Sequence, residues 1–234
     1  MSAATVDPKT DPRTLPDAAR FFFRHGSPRV LGTAFVLTLG ARAWAGPVSW
    51  VDGAIALAIV LWWPLNEWLI HVFILHARPR RVFGLTIDSA VPRSHRIHHR
   101  DPRNLEILFI PFHSFLYTLP LLFGAAWLLT PTPALALTGA AVYLAFGLHY
   151  EWVHFLTHTR YRARSEFYQR LFRNHRLHHY KNEHYWYGVS LLGADRPLGT
   201  DPDSAEVPTS DTARALPDSP LPVGPLPIGS LSVG

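Results

Sequence analysis

The chain has 234 residues, enough for one domain, and 48% of them are hydrophobic. It contains no cysteine, which excludes disulfides, thiolate metal sites and cysteine nucleophiles. The formal net charge is +5, but the basic residues follow the membrane topology predicted below, so we expect no nucleic-acid partner.

Apolar stretches dominate the first two thirds of the chain. Residues 1–28 form a polar N-terminal lead-in. Four stretches follow, each near the ~20 residues that cross a ~30 Å hydrocarbon layer. They cover roughly residues 29–46, 52–73, 107–129 and 133–155. Short Pro-containing connections join them in pairs, so the sequence predicts an all-α integral membrane protein with four transmembrane helices in two hairpins.

The distribution of Lys and Arg predicts the orientation of these helices. If the N-terminus is cytoplasmic, only Arg42 of the 22 Lys and Arg residues lies at the outer side, which is a strong positive-inside bias. Trp44, Trp50 and Trp127 then fall near the outer ends, where aromatic residues are enriched. We therefore expect a multi-pass protein in the lipid bilayer, with both termini and the site described next on the cytoplasmic side.

The segments outside the spans differ in composition. Residues 77–106 are basic and polar, which favours short helices at the membrane surface, and residues 159–192 favour an amphipathic helical segment. These segments are predicted to form a cytoplasmic helical cap, so that residues 29–192 make one membrane domain. From residue 193 to 234 the chain is rich in Pro, Gly, Ser and Asp. Such a composition predicts a disordered, dispensable tail.

Ten of the fourteen histidines lie in four short motifs, spaced HxxxxH, HxxHH, HxxxH and HxxHH in chain order. Imidazole is the commonest metal ligand in proteins and binds as the neutral ring. The predicted topology brings all four motifs to the cytoplasmic side at similar depth. The candidate ligands are His71 and His76; His95, His98 and His99; His154 and His158; and His175, His178 and His179.

The spacing of the motifs suits helices. Residues i, i+3 and i+4 share one helix face, so each HxxHH is expected to aim three rings at one point, and HxxxH two rings. His71 and His76 lie five residues apart, about 140° around an α-helix, and do not share a face. Either the helix ends between them, or the pair flanks the site from two sides.

The number of rings limits which kinds of metal site are possible. Ten imidazoles exceed the four ligands that each of two tetrahedral zinc sites would use, and they suit two metals of five or six coordination with one position open. Open positions on a histidine-ligated transition metal favour catalysis, for example by iron with dioxygen. The non-enzyme alternative is a metal-binding or metal-transport protein. Transporters hold their sites near the bilayer midplane, whereas these motifs lie at the cytoplasmic helix ends.

The order of the four motifs on two membrane hairpins resembles the fatty acid hydroxylase/sterol desaturase superfamily of membrane non-haem di-iron enzymes. Within it, the spacings most resemble the fatty acid 2-hydroxylase branch. The resemblance covers roughly residues 50–195. It is carried by residues 66–76, 94–100 and 175–180, followed by Tyr187-Gly188-Val189-Ser190.

The resemblance implies dioxygen-dependent hydroxylation of a membrane lipid at two iron ions, with the acyl chain of a fatty acid or fatty-acyl lipid as substrate and C2 as the carbon. Zinc can replace iron in purified protein. The alternative substrates are a sterol, through desaturation, or a carotenoid, through hydroxylation. Eukaryotic 2-hydroxylases carry a cytochrome b5 domain with a His-Pro-Gly-Gly segment, which this sequence lacks. We therefore expect a separate electron-transfer protein as the external electron donor.

Four further residues are candidates around the metals, and no catalytic residue is predicted beyond the ligands. Glu67 lies four residues before His71, and Glu151 three before His154. Each is expected to accept the outer N–H of a ligand ring and to fix its tautomer. His184 either lines the site or lies at the surface. Tyr187 either anchors the last segment at the membrane interface or contacts the head group of the substrate.

Overall fold

The computed structural model describes residues 11–217, which are mostly helical, as predicted. The α-helices are α1 (Leu15–Phe22), α2 (Gly26–Trp44), α3 (Trp50–Ile70), α4 (Ala90–Arg100), α5 (Phe115–Leu129), α6 (Pro133–His158) and α7 (Glu166–Tyr180). A π-helical turn (His71–Leu75) continues α3, and 3-10 turns cover Leu105–Ile107 and Phe112–Ser114. The described chain also contains two short strands, β1 (Arg80–Val82) and β2 (Leu85–Ile87).

The two strands correct the predicted all-α class. They pair antiparallel, with Arg81 opposite Thr86. Phe83 and Gly84 connect them with positive φ angles of 49° and 80°, the geometry that matches the twist of a two-residue hairpin. This hairpin takes up part of the segment that was expected to be helical. α4 follows it and is a short helix within residues 77–106, as predicted, while its position at the membrane surface stays a prediction.

Three helical segments are long and apolar enough to cross a membrane: Trp50–Leu75, Leu105–Leu129 and Pro133–His158. They correspond to the second, third and fourth predicted spans. The first predicted span corresponds to α2, which has 19 residues and is therefore about 28 Å long at 1.5 Å per residue. It packs along α6. The count of four spans and the side that the termini face stay predictions.

Helix α6 is the centre of the membrane part, because α2, α3 and α5 all pack against it. Its small residues Gly139, Ala140 and Ala141 allow close approach; a Cβ at Gly139 would lie 3.7 Å from Ile55. Further along, Leu144 is buried in one cluster with Leu31 of α2 and Phe115 of α5.

A second apolar cluster fixes the cap to the end of α6. Phe22 of α1, Phe155 of α6 and Leu171 of α7 are fully buried in it. Phe21 also stacks on Phe155, with ring centroids 5.5 Å apart. The lead-in is therefore partly structured, since α1 packs on the membrane helix that carries the third histidine motif.

Arg42, the basic residue inside the first predicted span, is buried at the opposite end of the bundle. Its guanidinium lies 2.7 Å from the carboxylate of Asp52 on α3 and donates to Thr138 Oγ1 of α6 at 2.8 Å. It also donates to the carbonyl oxygens of Gly46 and Pro47. These hydrogen bonds offset the cost of burying the charge and tie the α2–α3 connection to α6.

The prediction of a disordered tail from residue 193 is wrong for residues 193–217. Asp195 accepts hydrogen bonds from the backbone N–H groups of Tyr187 and Gly188 at 2.9 and 2.7 Å, and Ser210 N donates to Lys181 O at 2.7 Å. Val207 is buried. The segment is held largely by polar bonds to the cap, which composition does not reveal. Residues 218–234 of the predicted tail and 1–10 of the lead-in lie outside the described residues.

Candidate metal centre

The HxxxxH motif is brought onto one face by a change of helix type. α3 ends at Ile70 and continues as a π-helical turn, in which His76 N donates to His71 O at 3.1 Å. This i to i+5 hydrogen bond places residues five apart one above the other on the helix, so the ring centroids of His71 and His76 lie 5.0 Å apart. The helix therefore ends between the two histidines, at Leu75, as the first alternative predicted, but it ends as a π-helical turn that α-helix periodicity could not predict. Single π-turns are frequent at functional sites.

The ten predicted ligands come together in two groups of five, and within each group the ligand atoms lie within 4.8 Å of one another. Eight of the rings are buried, and His76 and His158 are partly buried. The first histidine group comprises His71, His76, His95, His99 and His178. The second histidine group comprises His98, His154, His158, His175 and His179.

Each HxxHH motif serves both groups, which corrects the expectation that its three rings aim at one point. On α4, His95 and His99 belong to the first group and His98 to the second. On α7 the assignment is reversed, with His178 in the first group. The cause is the helix period: positions i+3 and i+4 lie about 100° apart around the axis, so the i, i+4 pair faces one group and the i+3 ring the other.

The distances between ring nitrogens fit a metal ion inside each group. In the first group, His76 Nε2 lies 3.2 Å from His178 Nε2, and His95 Nε2 lies 3.1 Å from His99 Nε2. In the second, the Nε2 atoms of His175 and His158 are 3.0 Å apart. Metal–nitrogen bonds of about 2.1 Å at right angles place two ligand atoms about 3.0 Å apart, so these are the separations expected of neighbouring ligands.

Backbone carbonyls fix the tautomer of three rings in the first group. The Nδ1 atoms of His71, His99 and His178 lie 2.7, 2.8 and 2.8 Å from the carbonyl oxygens of Tyr187, Ala213 and Tyr185, respectively. A carbonyl oxygen only accepts, so Nδ1 carries the proton and the lone pair resides on Nε2. The Nε2 atom of His71 is buried without a hydrogen-bond partner, as expected of an atom that awaits a metal.

The rings are neutral at physiological pH. Burial is the main cause that lowers the pKa of the seven candidate ligands outside the spans, and neighbouring imidazoles add to it for six of them. Burial lowers the pKa of His99 to about 4, although its bond to the Ala213 carbonyl opposes the shift. Because only the neutral ring binds a metal, this environment favours the ligating form.

Glu67 does not bind a ligand ring, which corrects its predicted role. One carboxylate oxygen accepts from Val189 N and from Ser190 N, the latter at 2.7 Å, and the other accepts from Ser190 Oγ at 2.7 Å. Glu67 therefore anchors the backbone just after Tyr187, whose carbonyl orients His71. Its effect on the ligand passes through this loop, an arrangement that spacing along α3 could not reveal.

Glu151 also makes its hydrogen bonds elsewhere. Its Oε1 accepts from Ser27 Oγ at 2.6 Å and from Ile110 N at 2.9 Å, which ties α2 and the segment before α5 to α6. Its Oε2 is buried and has no partner among the described residues. The predicted bond from Glu151 to His154 is therefore wrong, because Oε1 bonds to Ser27 and Ile110 and Oε2 bonds to no described residue.

A small cavity of about 50 Å³ lies beside both histidine groups. Its wall includes His95 of the first group and His98 and His154 of the second. The rest of the wall is mostly apolar and includes Leu75, Val91, Ile107, Leu108, Phe109, Ile110, Pro111, Tyr150 and Glu151. This is a place where an apolar molecule can approach both groups at once.

Of the remaining candidates, Tyr187 lies at the site and His184 at the surface. The ring of Tyr187 is buried, with its centroid 5.3 Å from that of His71 and 5.2 Å from that of His178. The side chain of His184 is 67% exposed and lies 3.4 Å from Glu183. Sequence reasoning missed Glu183, a buried carboxylate that accepts from Thr212 Oγ1 and whose charge acts on His99. Only its position shortly after the last HxxHH motif could have suggested it.

Comparison with known proteins decides the family. The sequence model described as fatty acid hydroxylase matches residues 56–200, a region that contains all ten candidate metal ligands. The chain belongs to the fatty acid hydroxylase family. This confirms the resemblance drawn from the histidine motifs.

The chain is also similar to two known proteins. The dihydroceramide fatty acyl 2-hydroxylase FAH2 of Arabidopsis thaliana is 27% identical over 152 residues, which cover 64% of this chain and 61% of that protein. The chain thus matches less than two thirds of this relative's length. A solved structure described as full-length scs7p with only the hydroxylase domain visible has a TM-score of 0.60 and 21% identity, and the match covers 87% of this chain and 71% of that one. This second likeness shows a shared fold.

Proposed function

We propose that this member of the fatty acid hydroxylase family is a membrane-embedded non-haem di-iron monooxygenase that hydroxylates the acyl chain of a fatty acid or fatty-acyl lipid at C2. One observation carries the proposal: ten histidine rings form two groups of five that share the wall of one small apolar cavity. The similarity to an acyl 2-hydroxylase supports the choice of substrate.

The ligand sets favour two catalytic ions over structural zinc. A structural zinc site is closed by four ligands, whereas each group offers five nitrogens, which would hold a catalytic ion with a position left open. Imidazole ligands suit iron among other transition metals. The bound ions would supply the reduction of dioxygen and the oxidation of an unactivated C–H bond, chemistry that side chains lack.

The residues of the chain would hold the metal ions, orient the ligand rings and shield the site from bulk water. The neutral rings present Nε2 lone pairs, and the carbonyls of Tyr185, Tyr187 and Ala213 keep three of them in that tautomer. The apolar wall formed by Leu75 and Leu108 keeps bulk water from the reacting carbon, which limits side reactions. No residue outside the ligands is required to move a proton to or from the substrate carbon.

The position of the cavity explains why a carbon near the lipid head is the target. A cavity of about 50 Å³ is far smaller than the ~300 Å³ of a small-ligand pocket, so it holds only a short part of an acyl chain. The remainder would lie in the bilayer along exposed apolar side chains such as Leu116 and Leu121 of α5. With the polar head at the cap, C2 is then the first methylene to reach the metals.

The reaction balances with an external electron source. The C–H bond of the substrate and one dioxygen molecule react with two electrons and two protons to give the hydroxylated lipid and one water. We propose a separate electron-transfer protein as the donor. We also propose that α2 crosses the membrane with the three apolar segments, so that residues 29–192 form one domain with both termini and the site in the cytoplasm.

Lipid analysis of an expressing strain tests the function. We expect 2-hydroxy fatty acids in the wild-type strain, and none when His178→Ala and His179→Ala are combined. Hydroxylated carotenoid or desaturated sterol, without any 2-hydroxy acyl product, would reject the substrate. Purified protein that binds metal but consumes no dioxygen with lipid and reductant would support the alternative of a metal-binding or transport protein.

A further inference from the structure

A large basic cleft lies on the cap, outside the cavity described above. It has a volume of about 910 Å³ and runs between the start of α1 and the connection from α6 to α7. Five of its ten lining residues are arginines, and none of the ten is acidic. The lining residues are Arg13, Thr14, Leu15, Pro16, Thr159, Arg160, Tyr161, Arg162, Arg164 and Arg176.

Most of this charge is available to a partner. Arg13, Arg162 and Arg164 are exposed, and no carboxylate in residues 11–217 forms an ion pair with them. Only Arg160 is paired, at 3.2 Å from Asp11. Arg176 donates to the carbonyl of Thr157, a bond that fixes its position and leaves its charge in place. A concave surface with one sign of charge focuses the potential and attracts an oppositely charged partner.

The lining of the cleft includes residues that are next in the chain to members of the second histidine group. Thr159 follows His158 in the chain, and Arg176 follows His175, so two lining residues are each one residue from a candidate ligand. The guanidinium of Arg176 donates to the carbonyl of Thr157, the residue before His158, at 3.2 Å. A redox centre held in this cleft would have a short path to the metal of the second group. Electron transfer slows steeply with distance, so this position suits electron entry.

We propose that the arginine cleft is the docking site of an acidic electron-carrier protein. The proposal rests on the proposed function, because the hydroxylation needs two electrons. Two reduced one-electron carriers would dock in turn, each would leave oxidised, and the two protons that complete the water would come from solvent. The carrier is identified here by its chemistry alone, a small protein with an acidic surface around its redox centre.

The position of the cleft suits a soluble protein, and an anionic lipid head group is the competing occupant that the binding experiment distinguishes. α6 has 26 residues and a length of about 39 Å, more than a ~30 Å hydrocarbon layer requires. The lining residues that follow His158 are therefore expected outside the hydrocarbon layer, where a soluble carrier protein can reach them.

A binding experiment tests the cleft on the full iron-loaded chain in detergent. The probe is a plant-type [2Fe–2S] ferredoxin, a small acidic carrier, and the variant combines Arg162→Glu with Arg164→Glu. The matched control combines Arg80→Glu with Arg81→Glu, two exposed arginines of the β-hairpin outside the cleft. We expect affinity for ferredoxin to fall about tenfold or more in the cleft variant and at high ionic strength, and to change less than about twofold in the control.

Two outcomes of the binding experiment would overturn the proposal. One is a wild-type chain that does not bind ferredoxin at low ionic strength, or binds it as well in the cleft variant as in the wild type. The other is a cleft variant that loses binding to vesicles containing phosphatidylglycerol while its affinity for ferredoxin is unchanged, which would assign the cleft to lipid.

A turnover experiment separates this proposal from the proposed function. Hydroxylation is driven either by reduced ferredoxin or by a small uncharged reduced mediator that needs no docking site. We expect the cleft variant to lose about tenfold or more of the ferredoxin-driven rate and to keep the mediator-driven rate. Equal loss with both donors would overturn the docking site. Absence of product in the wild type with either donor would instead reject the proposed function.

Discussion

The two histidine groups contain equal numbers of rings, yet they are held in different ways. In the first group, three rings donate to carbonyls that lie in residues 185–213. In the second group, all five rings come from α4, α6 and α7. There the Nδ1 atoms of His98, His175 and His179 are buried without hydrogen-bond partners within residues 11–217.

This difference indicates which part of the chain determines the geometry of each candidate metal site. The second group is set mainly by the packing of three helices, with one further bond between the His158 ring and the backbone of Pro102. The first group also needs residues 185–217, which we call the C-terminal segment, because carbonyls of this segment orient three of its rings. Changes to that segment are therefore predicted to affect the first metal more than the second, and the following predictions test this from the largest expected effect to the smallest.

The largest effect is expected from removing one ligand from each group. His178→Ala belongs to the first group and His179→Ala to the second, although the two residues are adjacent. Each single variant is expected to retain about one metal per chain. Loss of the hydrogen-bond partner of a ligand ring costs roughly 100-fold in activity at most. Loss of the ring itself is expected to lower the activity of each single variant by more than that. Metal analysis and turnover assays measure both quantities. Loss of both metals in either single variant would show that the groups are not separate.

The next effect comes from shortening the C-terminal segment. A chain that ends at Pro208 lacks the Ala213 carbonyl that orients His99. We expect one of the two metals to bind about 10- to 100-fold more weakly, as is typical when the partner of a ligand ring is lost, and the other to be unchanged. A chain that ends at Pro217 is the control and is expected to bind both metals normally. Equal metal affinities in the two shortened chains would contradict the role of Ala213.

A smaller effect is expected from Glu67→Gln. The carboxylate accepts from two backbone N–H groups and the Ser190 hydroxyl, and hydrogen bonds to a charged group contribute about 1.5–3 kcal/mol each. We expect lower stability and about tenfold weaker binding of the first metal.

Glu151→Gln is the matched control for Glu67→Gln. It removes a buried carboxylate that bonds to Ser27 and Ile110, both outside the histidine groups. Thermal unfolding in detergent is expected to fall for both variants, while affinity for the first metal falls only for Glu67→Gln. Equal affinities in the two variants would show that the loop anchored by Glu67 does not orient His71.

The pH dependence of stability tests the neutral rings. The pKa of His99 falls to about 4 on folding, below the ~6.5 of an unfolded histidine. Between these values the unfolded chain binds protons that the folded chain does not. The free energy of unfolding of the metal-free chain is therefore expected to decrease as the pH falls from about 6.5 toward 4, by up to ~1.4 kcal/mol per pH unit for each such ring. Unfolding midpoints that are unchanged between pH 7.5 and 5 would contradict this.

The smallest effect is expected from Tyr187→Phe. The backbone carbonyl that orients His71 and the ring that packs beside it are both retained. The change in stability is expected to stay within about 0.5 kcal/mol, with metal affinity unchanged. A fall in kcat/KM with normal metal content would support the prediction that the hydroxyl contacts the head group of the substrate.

The sequence predicted which ten rings come together, because helix periodicity brings histidines at i, i+3 and i+4 to neighbouring positions; that they bind metal stays a prediction. It could not predict that the middle ring of each HxxHH motif, His98 or His178, belongs to a different group from the other two rings of that motif. That assignment depends on the packing of α4, α6 and α7. The π-turn at His71 was hidden because its amino acids do not differ from those of an α-helix. The C-terminal segment was misjudged since its order depends on hydrogen bonds such as those of Asp195, which composition cannot show.

The most direct test of two separate metals is anomalous X-ray diffraction at the iron edge from crystals of the iron-loaded chain. We predict two peaks, one inside each histidine group, each about 2.1 Å from its ring nitrogens. One peak shared by rings of both groups, or iron bound away from these ten histidines, would contradict the two-metal centre.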